Sequence, residues 1–147
     1  MFSGSYELSV DEKGRIAVPA RYRSELAETC ASQLVVTQGP DDPLEIYPAP
    51  DFARLAQTIR DMDDREVAEE LMNRFIGLAV ETEIDKQGRL LLPPLLRKRA
   101  KLNGSVVLVG KIARFELWSR DRWAQHFEDE SDARAQVRRD AFRNLKR

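Results

Sequence analysis

A ten-residue segment occurs twice in this chain, at a constant spacing of 74 residues. The first copy reads VDEKGRIAVP from Val10 to Pro19, and the second reads IDKQGRLLLP from Ile84 to Pro93. Each copy places an Asp, two polar residues, Gly and Arg before three apolar residues and a Pro. This order is typical of a tight hairpin turn that leads into a buried strand. The repeat therefore predicts a fold built from two equivalent β modules.

The Asp and Gly of each copy have an explanation in the backbone of the turn. The side chain of Asp can accept a hydrogen bond from the backbone two residues on, and Gly can adopt the positive φ that a bulged turn requires. We therefore predict that Asp11, Gly14, Asp85 and Gly88 shape the two turns. Neither turn requires the arginine that follows its glycine.

These arginines, Arg15 and Arg89, are the main candidates for a functional role. Each has a lysine in the same turn, Lys13 in the first and Lys86 in the second. A guanidinium group matches phosphate or the O6 and N7 edge of guanine, and a two-stranded ribbon fits the major groove of DNA. We expect these four residues to bind DNA. The alternative, that each arginine pairs with the Asp of its own turn, is equally open from spacing alone and is compatible with DNA binding.

Further matches extend the repeat beyond the turns. Arg23 is equivalent to Arg97, and Leu44 to Tyr47 aligns with Phe115 to Trp118 at an offset of 71. Two copies are too few for a stacked solenoid, so we expect two pseudo-symmetric modules with a shared core. The predicted divisions are a first module at 5–52, a helical connector at 53–79, a second module at 80–124 and a C-terminal helix or tail at 125–147.

The charge of the chain is segregated along the sequence. Its 147 residues carry 24 basic and 25 acidic side chains, for a formal net charge of −1. Residues 85–101 nevertheless hold six bases and one acid, whereas residues 61–70 hold six acids and one base. A nucleic-acid partner is therefore compatible with the near-neutral total, because a basic face can act independently of the average.

The sequence offers little support for catalysis or for a membrane location. It has one histidine, His126, and one cysteine, Cys30, and no glycine-rich phosphate loop or metal-spaced set of ligands. A carboxylate dyad of Asp11 and Asp85 is the remaining enzymatic alternative, which we disfavour because such turns use Asp to brace their own backbone. No apolar run approaches the ~20 residues of a membrane span, and the N-terminus shows no export signal. We expect a cytoplasmic protein without enzymatic activity, cofactor or membrane partner.

The two motifs together resemble those of the MraZ family of transcriptional regulators. The resemblance rests on Asp11 with Arg15 and Asp85 with Arg89, each followed by an apolar triplet and Pro, and on the opening Met-Phe-x-Gly. It covers nearly the whole chain and is weakest in the connector and the tail. It implies an α+β fold of two pseudo-symmetric AbrB-like swapped-hairpin β modules, similar to SpoVT-AbrB domains. These modules would form one β-barrel-like core with connecting and C-terminal helices.

The same resemblance implies a function. It predicts a sequence-specific DNA-binding repressor of its own promoter and of the adjacent division and cell-wall gene cluster, associated with the nucleoid. It also implies a homo-oligomeric ring, which should favour double-stranded promoter DNA with direct repeats because many weak contacts then act together. The alternative is an oligomeric protein-interaction scaffold in which Arg15 and Arg89 serve subunit assembly.

Overall fold

The structure is a computed structural model that describes residues 1–128 and 131–147. Within these residues the two halves of the chain repeat one order of elements, which confirms the α+β class. The first half contains β1 (Ser5–Ser9), β2 (Arg15–Ala17), α1 (Ala20–Cys30), β3 (Gln33–Gln38) and β4 (Leu44–Pro48). The connector contains α2 (Ala49–Arg60), α3 (Arg65–Leu71) and a π-helical segment (Met72–Ile76). The second half contains β5 (Val80–Glu83), β6 (Arg89–Leu91), α4 (Pro94–Arg99), β7 (Ser105–Gly110) and β8 (Phe115–Ser119), followed by α5 (Arg120–Glu128) and α6 (Asp132–Asn144).

Prolines set the starts of the first helix of each half and of the connector. Pro19, Pro48 and Pro93 directly precede α1, α2 and α4, with φ angles of −53°, −55° and −57°. A proline ring fixes φ near these values, which suit a helix start, and it disfavours helical backbone in the residue before it, so the helix begins at this point. The prolines that close the repeated motif, Pro19 and Pro93, thereby place α1 and α4 at equivalent positions.

The strands form one large sheet and one short ribbon. Six strands form an antiparallel sheet in the order β1-β7-β8-β4-β3-β5, and β2 pairs with β6 in a separate antiparallel ribbon. The six-stranded sheet does not close on itself, because β1 and β5 are its two edges. The predicted barrel-like core is therefore not confirmed by the strand pairing.

Two strands are exchanged between the halves of the chain. β1 of the first half pairs with β7 of the second, where Ser5 lies opposite Val109. In the equivalent way, β5 of the second half pairs with β3 of the first, where Gln33 lies opposite Glu83. Each half therefore supplies an edge strand to the hairpin of the other half.

The strand registers locate a pseudo-two-fold axis. In the ribbon Ile16 lies opposite Leu90, and these positions are equivalent at the repeat spacing of 74. In the sheet Glu45 lies opposite Glu116, and these are equivalent at the spacing of 71. An axis through both pairs relates the two halves, so the symmetry inferred from the sequence is present in the pairing of the strands.

One continuous core contains side chains from both halves. The inward residues of the ribbon, Ile16 and Leu90, are buried there together with Tyr22 of α1 and Leu96 of α4. Burial of apolar surface is the main source of stability in such a core, at about 25 cal/mol per Å². The other core residues are Phe2, Val18, Leu26, Leu34, Val36, Leu44, Ile46, Leu92, Ala100, Leu102, Val106, Leu108, Phe115 and Leu117.

The local hairpin predicted for the repeated motif is wrong in one respect. The turn forms, because the N–H of Asp11 donates to the carbonyl of Arg15 at 2.9 Å. The strand that follows nevertheless pairs with β6 of the other half and not with β1. The reason is that β1 is paired with β7, while Ile16 of β2 packs beside Leu90 in the shared core.

Candidate nucleic-acid interface

The first turn is held together by the carboxylate of Asp11. Its Oδ1 accepts hydrogen bonds from the backbone N–H groups of Lys13 and Arg15, each at 2.9 Å. Its Oδ2 accepts from Nε of Arg15 at 2.8 Å. Gly14 has a φ of 85°, and its N–H donates to the carbonyl of Asp11 at 3.0 Å. One Asp therefore fixes both the backbone of the turn and the direction of the arginine.

The second turn has the same backbone but a looser arginine. Oδ1 of Asp85 accepts from the N–H groups of Gln87 and Arg89, each at 2.9 Å, and Gly88 has a φ of 77°. Nε of Arg89 lies 3.5 Å from Asp85 Oδ2, and this buried atom has no hydrogen-bond partner in the described part of the chain. Nη2 of Arg89 donates to Gln87 Oε1 at 3.4 Å. Arg89 is thus less firmly held than Arg15.

The hydrogen bonds within the turns also favour the charged form of both carboxylates. The backbone N–H of Arg15 is the largest cause that lowers the pKa of Asp11 below its ordinary value of 3.8. The N–H of Arg89 lowers the pKa of Asp85 in the same way. A donor that binds the ionised carboxylate stabilises that form. At neutral pH both Asp side chains are therefore ionised and can hold the arginines of their turns.

The ribbon places Arg15 and Arg89 on one face. Arg15 lies opposite Leu91, and Ala17 lies opposite Arg89. Side chains alternate along a strand, and the central pair of the ribbon points into the core, so these four residues share the outward face. The two arginines are diagonal neighbours there, a relation in which Cα atoms lie roughly 7–8 Å apart. The two copies of the motif therefore meet on one face of the ribbon.

All four predicted DNA-binding residues lie on the ribbon or in the turns at its two ends. The side chains of Arg15 and Arg89 are 23% and 33% exposed, and Lys13 and Lys86 are exposed in the adjoining turns. We term the outward side of β2 and β6, with the turns at 11–14 and 85–88, the ribbon face. The Asp side chains are 37% and 38% exposed beside the arginines. The backbone of the turns is shaped by Asp11, Asp85, Gly14 and Gly88.

Two further arginines contact the glycines of the two turns from the opposite half, and the sequence did not reveal their positions. Arg97 of α4 lies against Gly14, with Nη1 2.5 Å from where a Cβ on that glycine would stand. Arg23 of α1 lies against Gly88, at 2.6 Å by the same measure. Both glycines are buried, so these arginines cover them. The repeat alignment marks Arg23 and Arg97 as equivalent, but only the exchange of strands determines which turn each one covers.

Other bases in α1 and α4 are directed elsewhere. Nη2 of Arg21 donates to Ser3 Oγ at 3.0 Å, at the N-terminal segment. Nε of Arg99 donates to Gln38 Oε1 at 2.7 Å, at the end of β3. In α1 and α4, therefore, Arg23 and Arg97 cover the turns, whereas Arg21 and Arg99 do not.

The residues considered for catalysis, Asp11, Asp85 and His126, each have other contacts in the structure. Asp11 and Asp85 each accept amide hydrogen bonds in their own turn, and none of the hydrogen bonds between described residues joins the two carboxylates. His126 packs on Trp118, with ring centroids 5.0 Å apart. Within residues 1–128 and 131–147 there is no cluster of three His, Cys, Asp or Glu that could hold a metal ion, and no helix is long and apolar enough to cross a membrane.

Comparison with known proteins gives a match in each half of the chain. A family model described as "MraZ protein, putative antitoxin-like" matches residues 1–75 and again residues 75–145. The two matches together span nearly the entire sequence. They divide the chain between its two structural repeats.

Similar curated proteins are found in several bacteria and carry the name "Transcriptional regulator MraZ". A protein of Thioalkalivibrio sulfidiphilus is 46% identical over 127 residues, which cover 85% of this chain and 84% of the relative. One of Pseudomonas aeruginosa is 44% identical over 125 residues, covering 84% and 83%. One of Nitrosospira multiformis is 43% identical over 129 residues, covering 87% and 88%.

Proposed function

This chain belongs to the MraZ family, whose curated relatives are named transcriptional regulators, and we propose that it binds promoter DNA through the ribbon face. In this proposal it is a sequence-specific repressor of its own promoter and of the adjacent division and cell-wall gene cluster. Its place of action is the nucleoid. The proposed DNA-binding units are the modules at 5–52 and 80–124, with 53–79 as connector and 125–147 as C-terminal extension.

The observation that carries the proposal is the placement of Arg15 and Arg89 on one exposed face. Nε is the only side-chain atom of Arg15 that hydrogen-bonds within the described residues, so its two Nη groups remain for a ligand. Such a pair of donors matches guanine O6 and N7, or two phosphate oxygens. The bond to Asp11 orders the arginine before binding, which lowers the entropic cost of recognition.

The dimensions of the ribbon support entry into the major groove. β2 and β6 are three residues each, and neighbouring strands lie about 4.8 Å apart. The major groove of B-DNA is about 12 Å wide and admits a two-stranded ribbon. Lys13 and Lys86 stand at opposite turns of this ribbon and would contact the phosphates that border the groove. Arg15 and Arg89 would then approach the base edges between them.

Assembly supplies the affinity that one subunit lacks. A single ribbon face offers few phosphate contacts, and each contributes modestly at physiological salt. A homo-oligomeric ring would repeat the ribbon face, and simultaneous contacts raise avidity by orders of magnitude when their spacing matches the DNA. The proposal therefore includes direct repeats in the promoter. Exposed apolar side chains in α5, in α6 and directly after α6 support subunit contacts there: Phe127, Val137, Phe142 and Leu145.

The test measures DNA binding by fluorescence anisotropy over a series of salt concentrations. The probe is a labelled duplex from upstream of the gene that encodes this chain. Arg15→Ala and Arg89→Ala should each weaken binding and flatten the salt dependence by about one unit per lost phosphate contact. Arg99→Ala is the matched control, because Arg99 is directed to Gln38 at the end of β3 and not to the turns. Unchanged affinity and slope in both variants would remove the ribbon face from DNA recognition.

A protein-interaction scaffold is the second candidate function. It is favoured by Leu91, which is 52% exposed on the ribbon face opposite Arg15. Exposed apolar surface beside arginine is common at protein contacts. Under this alternative, Arg15→Ala changes the assembly mass measured by light scattering without DNA. The proposed function requires the mass to stay the same.

A further inference from the structure

We infer that Arg23 and Arg97 bind DNA phosphates, each completing the turn of the opposite half. This inference rests on the proposed function and extends it to two residues outside the repeated motif. Each turn would then present a composite cluster: two bases from its own half and one arginine from the other. The proposed ligand is the phosphodiester backbone of DNA on either side of the groove.

The geometry of the two arginines is equivalent. Arg97 has its guanidinium over Gly14, with Nη1 2.5 Å and Cζ 3.0 Å from the position of a Cβ there. Arg23 has Nη1 2.6 Å and Cδ 2.7 Å from the corresponding position on Gly88. Each guanidinium thus lies directly beside the residue that precedes a proposed DNA-binding arginine. The pseudo-two-fold relation between the halves therefore places one guanidinium beside each turn.

Neither arginine is neutralised by an acidic side chain. Among the described residues, no Asp or Glu oxygen lies within 4.0 Å of a nitrogen of Arg23 or Arg97. Arg15, by contrast, is paired with Asp11. A free guanidinium beside other bases experiences repulsion, which an anionic ligand converts into attraction. The arrangement therefore favours binding of a phosphate at each turn.

The arginine from the opposite half adds one positive charge to each composite cluster. The first cluster has three bases and two acids, for a net charge of +1. The second has three bases and one acid, for a net charge of +2. Without the exchanged arginine the first turn would be neutral. The first cluster consists of Asp11, Glu12, Lys13, Arg15 and Arg97, and the second of Asp85, Lys86, Arg89 and Arg23.

This division of charge has a mechanistic consequence. Arg15 and Arg89 are tied to their turns and suit base edges, whereas Arg23 and Arg97 approach from helices and suit the phosphates outside the groove. Phosphate contacts fix the register of a protein on the duplex, and base contacts then select sequence. The arginine from the opposite half would therefore position each turn on the duplex so that Arg15 or Arg89 can contact the bases.

The experiment compares Arg97→Gln and Arg23→Gln with the wild-type chain. Glutamine keeps part of the aliphatic stem over the glycine but removes the charge. Lys98→Gln is the matched control, since Lys98 is an exposed base beside Arg97 on α4. Binding of the upstream duplex is measured by anisotropy across a salt series, and melting temperature and assembly mass are measured without DNA. Arg97→Lys tests whether charge alone restores the contact.

We expect each glutamine variant to flatten the salt dependence by at least about one unit per contacting subunit, with mass and melting temperature unchanged. Lys98→Gln should match wild type, and Arg97→Lys should recover most of the slope. Weaker binding with an unchanged slope and a lower melting temperature would overturn the inference, because the arginines would then only brace the turns. An equal effect of Lys98→Gln would also overturn it. If Arg15→Ala flattens the salt dependence and both glutamine variants keep it, this inference alone is rejected. If the wild-type chain binds no duplex, the proposed function is rejected as well.

Discussion

Glu45 and Glu116 lie directly opposite each other in the ladder between β4 and β8, and both are buried. Two carboxylates at the pseudo-two-fold axis repel each other, and a cation close to both offsets this repulsion. Arg114 lies between them, with Nη2 3.3 Å from Glu116 Oε2 and Nε 3.8 Å from Glu45 Oε1. The repeat position equivalent to Arg114 in the first half is Pro43, so only one half supplies this arginine.

Replacing Arg114 should destabilise the fold. Arg114→Met leaves two like charges facing each other in a buried position, and we expect a loss of about 2 kcal/mol in the free energy of unfolding. This value is below that of a fully buried pair because the Arg114 side chain is 34% exposed. Urea denaturation provides the measurement. Lys111→Met is the control, because Lys111 is 46% exposed and 3.7 Å from Glu116; its loss should stay below about 1 kcal/mol. Equal losses would contradict the central role of Arg114.

Adding a methyl group at Gly14 should displace Arg97. Gly14→Ala combines a φ of 85° with a Cβ that meets the guanidinium, whereas Gly104→Ala has a φ of 68° and no atom within 4 Å. The control at Gly104 therefore measures backbone strain alone, about 1 kcal/mol. Because the guanidinium of Arg97 is the far end of a flexible side chain that can move aside, we expect Gly14→Ala to lose at most about 1 kcal/mol more in thermal denaturation, the low end of overpacking costs. In the double variant with Arg97→Ala, part of that excess should return, as a double-mutant cycle can measure. Full additivity would argue against the contact.

Acid should weaken the two turns through their carboxylates. The pKa values of Asp11 and Asp85 are lowered from 3.8, chiefly by the N–H groups of Arg15 and Arg89. A carboxyl whose folded-state pKa lies below its unfolded value contributes stability above the unfolded value and loses that contribution as pH falls through the folded value. Carboxyl shifts in an NMR titration should give midpoints below 3.8 for both residues, and the amide signals of both arginines should move with them. Midpoints at or above 3.8 would contradict the hydrogen-bonding described.

A charge exchange between the two turns should change DNA affinity in opposite directions. Glu12 in the first turn occupies the position of Lys86 in the second. Glu12→Lys should strengthen binding and steepen the salt dependence by about one unit or more, because it replaces a repelled carboxylate by a phosphate contact. Lys86→Glu should do the reverse. Anisotropy across a salt series measures both. If Glu12→Lys left affinity and slope unchanged, the first turn would not face DNA.

The turns could be predicted from the sequence because their interactions are local. Asp11 binds amides within four residues of itself, and Gly14 adopts the positive φ that its place in the motif requires. These contacts depend on residue type and short spacing alone. The same reasoning showed that the backbone of the turns does not require Arg15 and Arg89, which lie on the outward face.

The partners of these elements could not be predicted in the same way. Alternation of apolar residues predicts a strand but not the strand with which it pairs. The pairing of Ile16 with Leu90 depends on the core that both halves share, and the contact of Arg97 with Gly14 depends on that pairing. The exchange of strands between the halves thus determines these partners, which the local sequence pattern does not specify.

The pairing of β1 with β7 also bears on how the chain is synthesised. Ser5 leaves the ribosome about a hundred residues before its partner Val109, a delay of roughly 5–20 s at ordinary rates of translation. During that time the nascent N-terminal half carries a strand without its neighbour. The six-stranded sheet can therefore be completed only after β7 and β8 have been synthesised, because β1 joins it solely through β7.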